Sequence, residues 1–184
     1  IFQGETYDVL NRVYFASKKI NPDYVIRVTS DCPLIDSKLI DSVLKIAIEE
    51  NLDYASNILI ESFPDGQDVE VISFSALEKC YYEAILKSDR EHVTPYIKRN
   101  SSFNGGHLFF SNNFKSKINY SDVRMTVDEF EDYNAIKLLI KKLGVNQDWQ
   151  VYTEYIINHP NLFNNQKIKR NEGYINSLKR DKLD

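Results

Sequence analysis

Apolar positions recur at helical spacing from Glu5 to Ile20, where Val9, Leu10, Val13, Ala16 and Ile20 are separated by polar and charged residues. Asn21-Pro22-Asp23 ends that helix, because proline cannot continue it and restricts the residue before it. The β-branched run Tyr24 to Thr29 is short enough to be a buried strand, and Ser30-Asp31-Cys32-Pro33 closes it. Asp36 or Ser37 then caps a helix carrying Leu39, Ile40, Val43, Leu44 and Ala47. Further strands are predicted over Asp53 to Ile60, Asp68 to Ser73, His107 to Ser111 and Asp122 to Val127. Helices are predicted over Ser75 to Lys87, from an Asp89 cap through Ile97, and around Ala135, Ile136, Leu139 and Ile140 up to Gly144. Strands alternating with helices of this length imply a three-layer α/β sheet with some antiparallel pairing. Residues 1–160 form the domain in this reading, and 161–184 a polar, basic helical tail on its surface.

Composition narrows the function classes. A chain of 184 residues suits one domain, and 42% apolar with 27% charged residues is ordinary for a globular protein. A net charge of −4 gives no whole-chain argument for nucleic acid or a membrane surface, so a phosphate-bearing partner requires a local positive site. No apolar run approaches a membrane span. Cys32 and Cys80 lie far apart without metal-ligand spacing, which fits a reducing, cytoplasmic setting. The chain opens at Ile1 without methionine and runs at once into a helical pattern, so it reads as part of something longer.

The chemistry concentrates where two predicted strands end alike. Arg27-Val28-Thr29-Ser30-Asp31 and Arg124-Met125-Thr126-Val127-Asp128 both spell Arg-x-Thr-x-Asp. Alternation along a strand puts each Arg, Thr and Asp on one side. Ligands of open α/β sheets bind beyond the carboxyl ends of strands, so Asp31 and Asp128 are expected to meet in one crevice, with Arg27 and Arg124 beside them as substrate-binding groups. Two carboxylates there suit magnesium, which takes one or two of them and completes its shell with water and phosphate. The competing reading is that Asp31 starts a turn and Asp128 caps the following helix.

Five blocks carry a resemblance. Arg27 through Asp36, Pro64-Asp65-Gly66-Gln67-Asp68-Val69-Glu70-Val71, Arg90-Glu91-His92-Val93-Thr94-Pro95-Tyr96, Arg124 through Asp128 and Lys169-Arg170-Asn171-Glu172-Gly173-Tyr174 occur in order and cover nearly the whole chain. Together they resemble the spore-coat polysaccharide biosynthesis protein F family of cytidylyltransferases, relatives of the synthetases of CMP-sialic acid and CMP-ketodeoxyoctonate. The resemblance implies a Rossmann-like nucleotidyltransferase sheet of mostly parallel strands, Mg2+, and transfer of CMP from CTP to a hydroxyl of an acidic sugar with release of pyrophosphate. It also implies that Asp31 and Asp128 hold the metal. Ser30 and Glu129-Phe130 depart from the usual Gly and Thr-Pro of that family. The family's opening strand and Pro-Gly-Lys loop have no counterpart here, so an N-terminally truncated domain is expected.

Asp68 and Glu70 share a strand face opposite Val69 and Val71 and form either a substrate wall or a solvated surface. Arg90 is expected to fork onto a sugar carboxylate, or else to make a salt bridge at a helix start. His92 is a further substrate-binding candidate beside a role in packing. The basic tail, with Lys167, Lys169, Arg170, Lys179, Arg180 and Lys182, reads most simply as a solvated helix face. A homodimer is expected, with no nucleic acid or membrane partner. The alternatives are an A-type glycosyltransferase, which also uses a strand-end aspartate and a divalent ion, and a truncated sugar-binding or dimerisation module without catalysis.

Overall fold

The structure is a computed structural model that describes residues 2–168 and 170–182. Helix α1 (Val9–Lys18) starts where Asp8 accepts the Asn11 N–H at 2.9 Å. It leads through the Asn-Pro-Asp turn into strand β1 (Tyr24–Arg27), and α2 (Ser37–Glu49) is capped by Asp36, which accepts the Lys38 N–H. Strands β2 (Tyr54–Ser56) and β3 (Glu70–Ser73) follow, and Ser73 caps α3 (Phe74–Glu83). Two short helices, α4 (Lys87–His92) and α5 (Pro95–Arg99), precede β4 (Ser111–Asn113). Helix α6 (Phe130–Leu143) carries a reciprocal cap between Glu129 and Asp132 and stops at Gly144, whose φ is +80°. Helix α7 (Trp149–Asn158), two 3-10 turns and α8 (Glu172–Asp181) complete the chain.

The four strands stand in the order β1-β3-β2-β4. β3 pairs antiparallel with both β1 and β2, and β2 pairs parallel with β4. Three strands therefore share a direction, and β3 alone runs against them. Alternation along the strands divides the core into layers. Tyr54 and Ile72 pack with Leu10, Leu77, Cys80 and Ile97 on one face, while Ala55 and Val71 pack with Leu39, Val43, Ala47 and Trp149 on the other. A third cluster joins α6 and α7 through Met125, Ile136, Leu139, Tyr152 and Ile156. The outer edge of β1 pairs with none of the described residues, and Ile26 and Val28 there are 39% and 42% exposed. Among the described residues no helix is long and apolar enough to cross a membrane.

Several expectations need correction. The predicted strand Asp122 to Val127 makes only an isolated parallel bridge, Arg124 with Asp65. The Gln166 side-chain amide occupies a neighbouring-strand position: its Oε1 accepts the Arg124 N–H at 2.8 Å and its Nε2 donates to the Arg124 carbonyl at 3.0 Å. Asp89 does not cap a helix but lies buried in the first turn of α4, accepting both terminal nitrogens of Arg99 at 2.7 Å. Ser111–Asn113, rather than His107 to Ser111, forms the parallel strand. Helix α7 is an addition to the predicted set.

The C-terminal segment is only in part a solvated tail: Lys167, Lys179, Arg180 and Lys182 are exposed, as expected. Lys169, Leu183 and Asp184 lie outside the described residues. Phe163, Asn165 and Ser177 are buried, and Arg170 is drawn into an acidic cluster. Gly66 shows how closely the central loops pack. Its φ is +102°, and a Cβ there would meet the Met125 carbonyl carbon at 2.6 Å, so both conformation and space require glycine.

Candidate active site

The carboxyl end of β1, the start of β3, the α4–α5 junction and the Arg124–Glu129 loop enclose a crevice of about 560 Å³. Arg27, Thr29 and Asp31 form one wall, Asp65, Asp68 and Glu70 the floor, and Thr126 and Asp128 the opposite wall. His92, Thr94 and Lys98 line one side, and Asn171 and Tyr174 of the C-terminal segment close another.

One end is organised around Glu70, which is 1% exposed. Its Oε1 accepts the hydroxyls of Tyr54 and Thr94, each at 2.6 Å, and lies 3.0 Å from Lys98 Nζ. Its Oε2 pairs with Arg27. Burial alone would raise this carboxyl, but Lys98, Arg27 and the two hydroxyls hold it well below the usual carboxylate range. Two cations thus share one buried carboxylate, leaving a net positive charge at the crevice wall. Val93 helps to shape this end. It adopts φ +72°, a strained conformation for a β-branched residue, with Thr94 N–H bonded to the His92 carbonyl at 2.8 Å. The tight turn buries the Val93 side chain and presents both His92 and Thr94 to the crevice.

The other end is acidic. Arg124, only 5% exposed, donates from Nε to Asp132 at 2.9 Å, from Nη1 to Asp65 at 2.8 Å, and from Nη2 to Asp128 and Asp132 at 2.7 and 2.8 Å. Arg170 lies 2.6 Å from Asp68 and 3.4 Å from Asp65. Burial pushes the Asp65 carboxyl up against the pull of both arginines, and pushes Asp68 up to about 6 against the pull of Arg170. Asp31 makes no ion pair among the described residues. Its Oδ2 accepts the Thr126 hydroxyl at 3.2 Å, and its carbonyl accepts the Val127 N–H at 2.9 Å, which binds the two Asp-terminated loops together. The Asp128 side chain is 54% exposed, with Oδ2 on Arg124.

A mixed sheet with a crevice at strand ends, cationic at one end and rich in carboxylates at the other, suits a phosphorylated ligand, and similarity to known proteins makes this specific. The sequence model of the family described as Cytidylyltransferase matches residues 1–168. The chain belongs to the cytidylyltransferase family. It is 33% identical over 179 residues to the uncharacterized protein MJ1063 of Methanocaldococcus jannaschii, covering 95% of this chain and 70% of that protein. It is 29% identical over 149 residues to the spore coat polysaccharide biosynthesis protein SpsF of Bacillus subtilis, covering 80% of this chain and 60% of that one. The structure of a cytidylyltransferase from Leptospira borgpetersenii superposes with a TM-score of 0.82 at 30% identity, over 92% of this chain and 70% of the other.

In this cytidylyltransferase, then, the crevice gathers most of the residues expected from sequence. Asp31, Asp128, Arg27, Asp68, Glu70, His92 and Arg124 all line it. Arg90 does not. Its fork closes on Asp8, Nε to Oδ1 at 3.0 Å and Nη2 to Oδ2 at 2.7 Å, and it lies over the Tyr81 ring, tying α4 to the cap of α1. Arg124 faces the crevice with its guanidinium already divided among three aspartates, so it fixes the wall rather than offering a free fork. Glu70 likewise positions Arg27 and Lys98. His92 lies 2.9 Å from the Ser177 hydroxyl and edge-on to Tyr174, and burial lowers its pKa. Lys98, Thr94 and Arg170 were not singled out from sequence. Thr94 and Lys98 are four residues apart at a helix start and so share a face, a pattern that was readable. Arg170 carried no signal beyond its place in the tail block.

Proposed function

We propose that the protein transfers CMP from CTP to a hydroxyl of an acidic sugar, releasing pyrophosphate, in the synthesis of a surface glycan. The observation that carries this reading is the charge division of the crevice, with Arg27 and Lys98 over Glu70 at one end and Asp31 and Asp128 at the other. Arg27 and Lys98 would bind the sugar carboxylate through charge-assisted hydrogen bonds. The kinship with a spore coat polysaccharide biosynthesis protein supports a role in glycan synthesis.

The residues fit a magnesium ion. Among the described residues no group of three or more His, Cys, Asp or Glu side chains is arranged as a metal cage. Magnesium needs no cage, since one or two carboxylates suffice beside water and phosphate. Asp31 makes no ion pair among the described residues and Asp128 is half exposed, which supports the two as ligands of the ion. Bound there, magnesium supplies Lewis-acid neutralisation of charge on the phosphate. Arg124 and Thr126 keep the two carboxylates in place while Arg27 and Lys98 orient the sugar, and such positioning provides much of the rate in phosphoryl-type transfer.

The test is pyrophosphate release by the protein carrying this chain, supplied with CTP, Mg2+ and a panel of sugars with and without a carboxylate. Release confined to acidic sugars is the expected result. Release of free nucleotide from a nucleotide-sugar, without pyrophosphate from CTP, would identify a glycosyltransferase instead. We also expect a homodimer, checked by sedimentation.

A further inference from the structure

Six carboxylates line the crevice, and five are already committed. Asp31 and Asp128 are assigned to the ion. Both oxygens of Asp65 face arginines, Oδ2 toward Arg124 and Oδ1 toward Arg170. Both oxygens of Glu70 are taken by Arg27, Lys98, Tyr54 and Thr94. Glu129 accepts the backbone N–H that caps α6. Asp68 differs from all of these. Its Oδ1 is pinned by Arg170 Nη2 at 2.6 Å, while its Oδ2 has no hydrogen-bond partner among the described residues.

Its position is equally specific. Arg27 stands opposite Glu70 in the antiparallel register of β1 and β3. Two residues along each chain, toward the acidic end, lie Thr29 and Asp68, and both line the crevice. Asp68 therefore stands between the cation pair that would hold a sugar carboxylate and the Asp31–Asp128 end where the phosphates would lie. A hydroxyl of the bound sugar that attacks the phosphate must cross this interval.

We propose that Asp68 is the general base, taking the proton of the attacking sugar hydroxyl, and that Arg170 is its positioning residue. The proposal rests on the nucleotidyl-transfer reading above. In the step, the sugar O–H bond breaks and its proton passes to Asp68 Oδ2. The oxygen forms a bond to the α-phosphorus of CTP, and the bond from that phosphorus to the pyrophosphate oxygen breaks with its electron pair leaving on pyrophosphate. Burial, with Asp65 and Glu70 nearby, raises Asp68 while Arg170 opposes the rise; Asp31 and Cys32 complete the titratable surroundings from the loop after β1. A carboxyl near 6 is ionised at neutral pH yet more basic than an ordinary aspartate, the range that suits a general base.

The experiment compares wild type, Asp68→Asn and Arg170→Lys in the protein carrying this chain, measuring pyrophosphate release from pH 5 to 9 and CTP binding by calorimetry. Asp68→Asn keeps an acceptor for Arg170, so folding and CTP affinity should be preserved while kcat falls by about 10²-fold or more. The acidic limb of the wild-type kcat profile, near pH 6, should vanish in Asp68→Asn, and Asp68→Glu should restore part of the rate. Arg170→Lys should keep the limb but move it, since lysine holds the carboxylate with one point charge instead of a fork. Wild-type turnover with kcat within threefold in Asp68→Asn, or with its acidic limb unchanged, would overturn the base. A wild type that releases no pyrophosphate from CTP with any acidic sugar would overturn the functional reading and Asp68's role with it.

Discussion

Arg27-Val28-Thr29-Ser30-Asp31 and Arg124-Met125-Thr126-Val127-Asp128 share a spelling but not an environment. The first begins in a true strand, and its arginine side chain is 21% exposed, with one carboxylate partner. The second is an extended loop with one isolated bridge, and its arginine is buried under Asp65, Asp128 and Asp132. The threonines diverge as well: Thr29 stands 3.3 Å from the Cys32 sulfur, while Thr126 reaches across to the Asp31 carboxylate. All six residues line the crevice, and the partners each makes there are what set the two copies apart. A repeated motif thus yields one arginine fully engaged in the architecture and one with a single carboxylate partner, the one proposed to meet the ligand.

The sharpest way to break this comparison is to remove each arginine in turn. Arg124→Met leaves Asp132 without its cation and Asp65 with Arg170 alone, and Asp132 is fully buried, so unfolding free energy should fall by about 3–5 kcal/mol. Arg27→Met leaves Glu70 with Lys98, Tyr54 and Thr94, and the loss should be nearer 1.5–3 kcal/mol, that of a charged hydrogen bond. Its larger consequence should be a raised KM for the acidic sugar. Urea unfolding of both variants measures the contrast, and equal losses would mean that the two arginines do the same job.

The aspartates test the part of the motif proposed to share one role. Asp31→Asn and Asp128→Asn each remove one charge from the proposed ion site, and turnover should fall by about 10²–10³-fold. The double variant should lose little more than either single if the two serve one ion as proposed. Stability should change little, since neither side chain is buried. Turnover retained at both positions, with early melting, would return them to simple loop and helix-end roles.

Much of the fold was legible because the layers follow from alternation: Val69 and Val71 on one face and Glu70 on the other mark β3 as a central strand with a polar wall. The same alternation misled at Asp122 to Val127. There the pattern is that of a strand, but a side-chain amide, Gln166, takes the partner's place, and no local periodicity reveals a partner about forty residues away. The shared crevice of Asp31 and Asp128 was readable from the repeated Arg-x-Thr-x-Asp spelling, although only the first of the two segments is a strand. Arg170 was hidden because its meaning is wholly tertiary. In sequence it belongs to a basic run, and only folding sets it beside Asp65 and Asp68. Arg90 resolved to the second of its two readings, a salt bridge at a helix start. Its fork geometry was anticipated correctly, but Asp8, at the start of α1, supplies the carboxylate.

The gentlest probe of the two ends of the crevice is acid. Burial pushes the Asp132 carboxyl up, and the Arg124 guanidinium, Asn165 and the backbone N–H groups of Glu129 and Asp128 outweigh it, bringing the group to about 2. Glu70 is held low by Lys98 and Arg27 against the same burial. Both folded values lie below those of an unfolded chain, near 4, so the stability they contribute is present above about pH 4 and fades as pH falls toward 2. Asp68 has the reverse sign. Its folded value of about 6 exceeds the unfolded one, so the folded state holds an extra proton between these values and stability declines slightly as pH rises from about 4 to 6. Urea midpoints followed from pH 2.5 to 8 should therefore climb, then dip. Asp68→Asn should reduce the dip to the share carried by Asp65, whose carboxyl burial also raises, and leave the climb. Glu70→Gln should reduce the climb to the share carried by Asp132 and make the dip shallower, because Glu70 also helps to raise Asp68. A single variant that removed both features would show that the two ends titrate as one network, and that the charge division of the crevice does not extend to its protons.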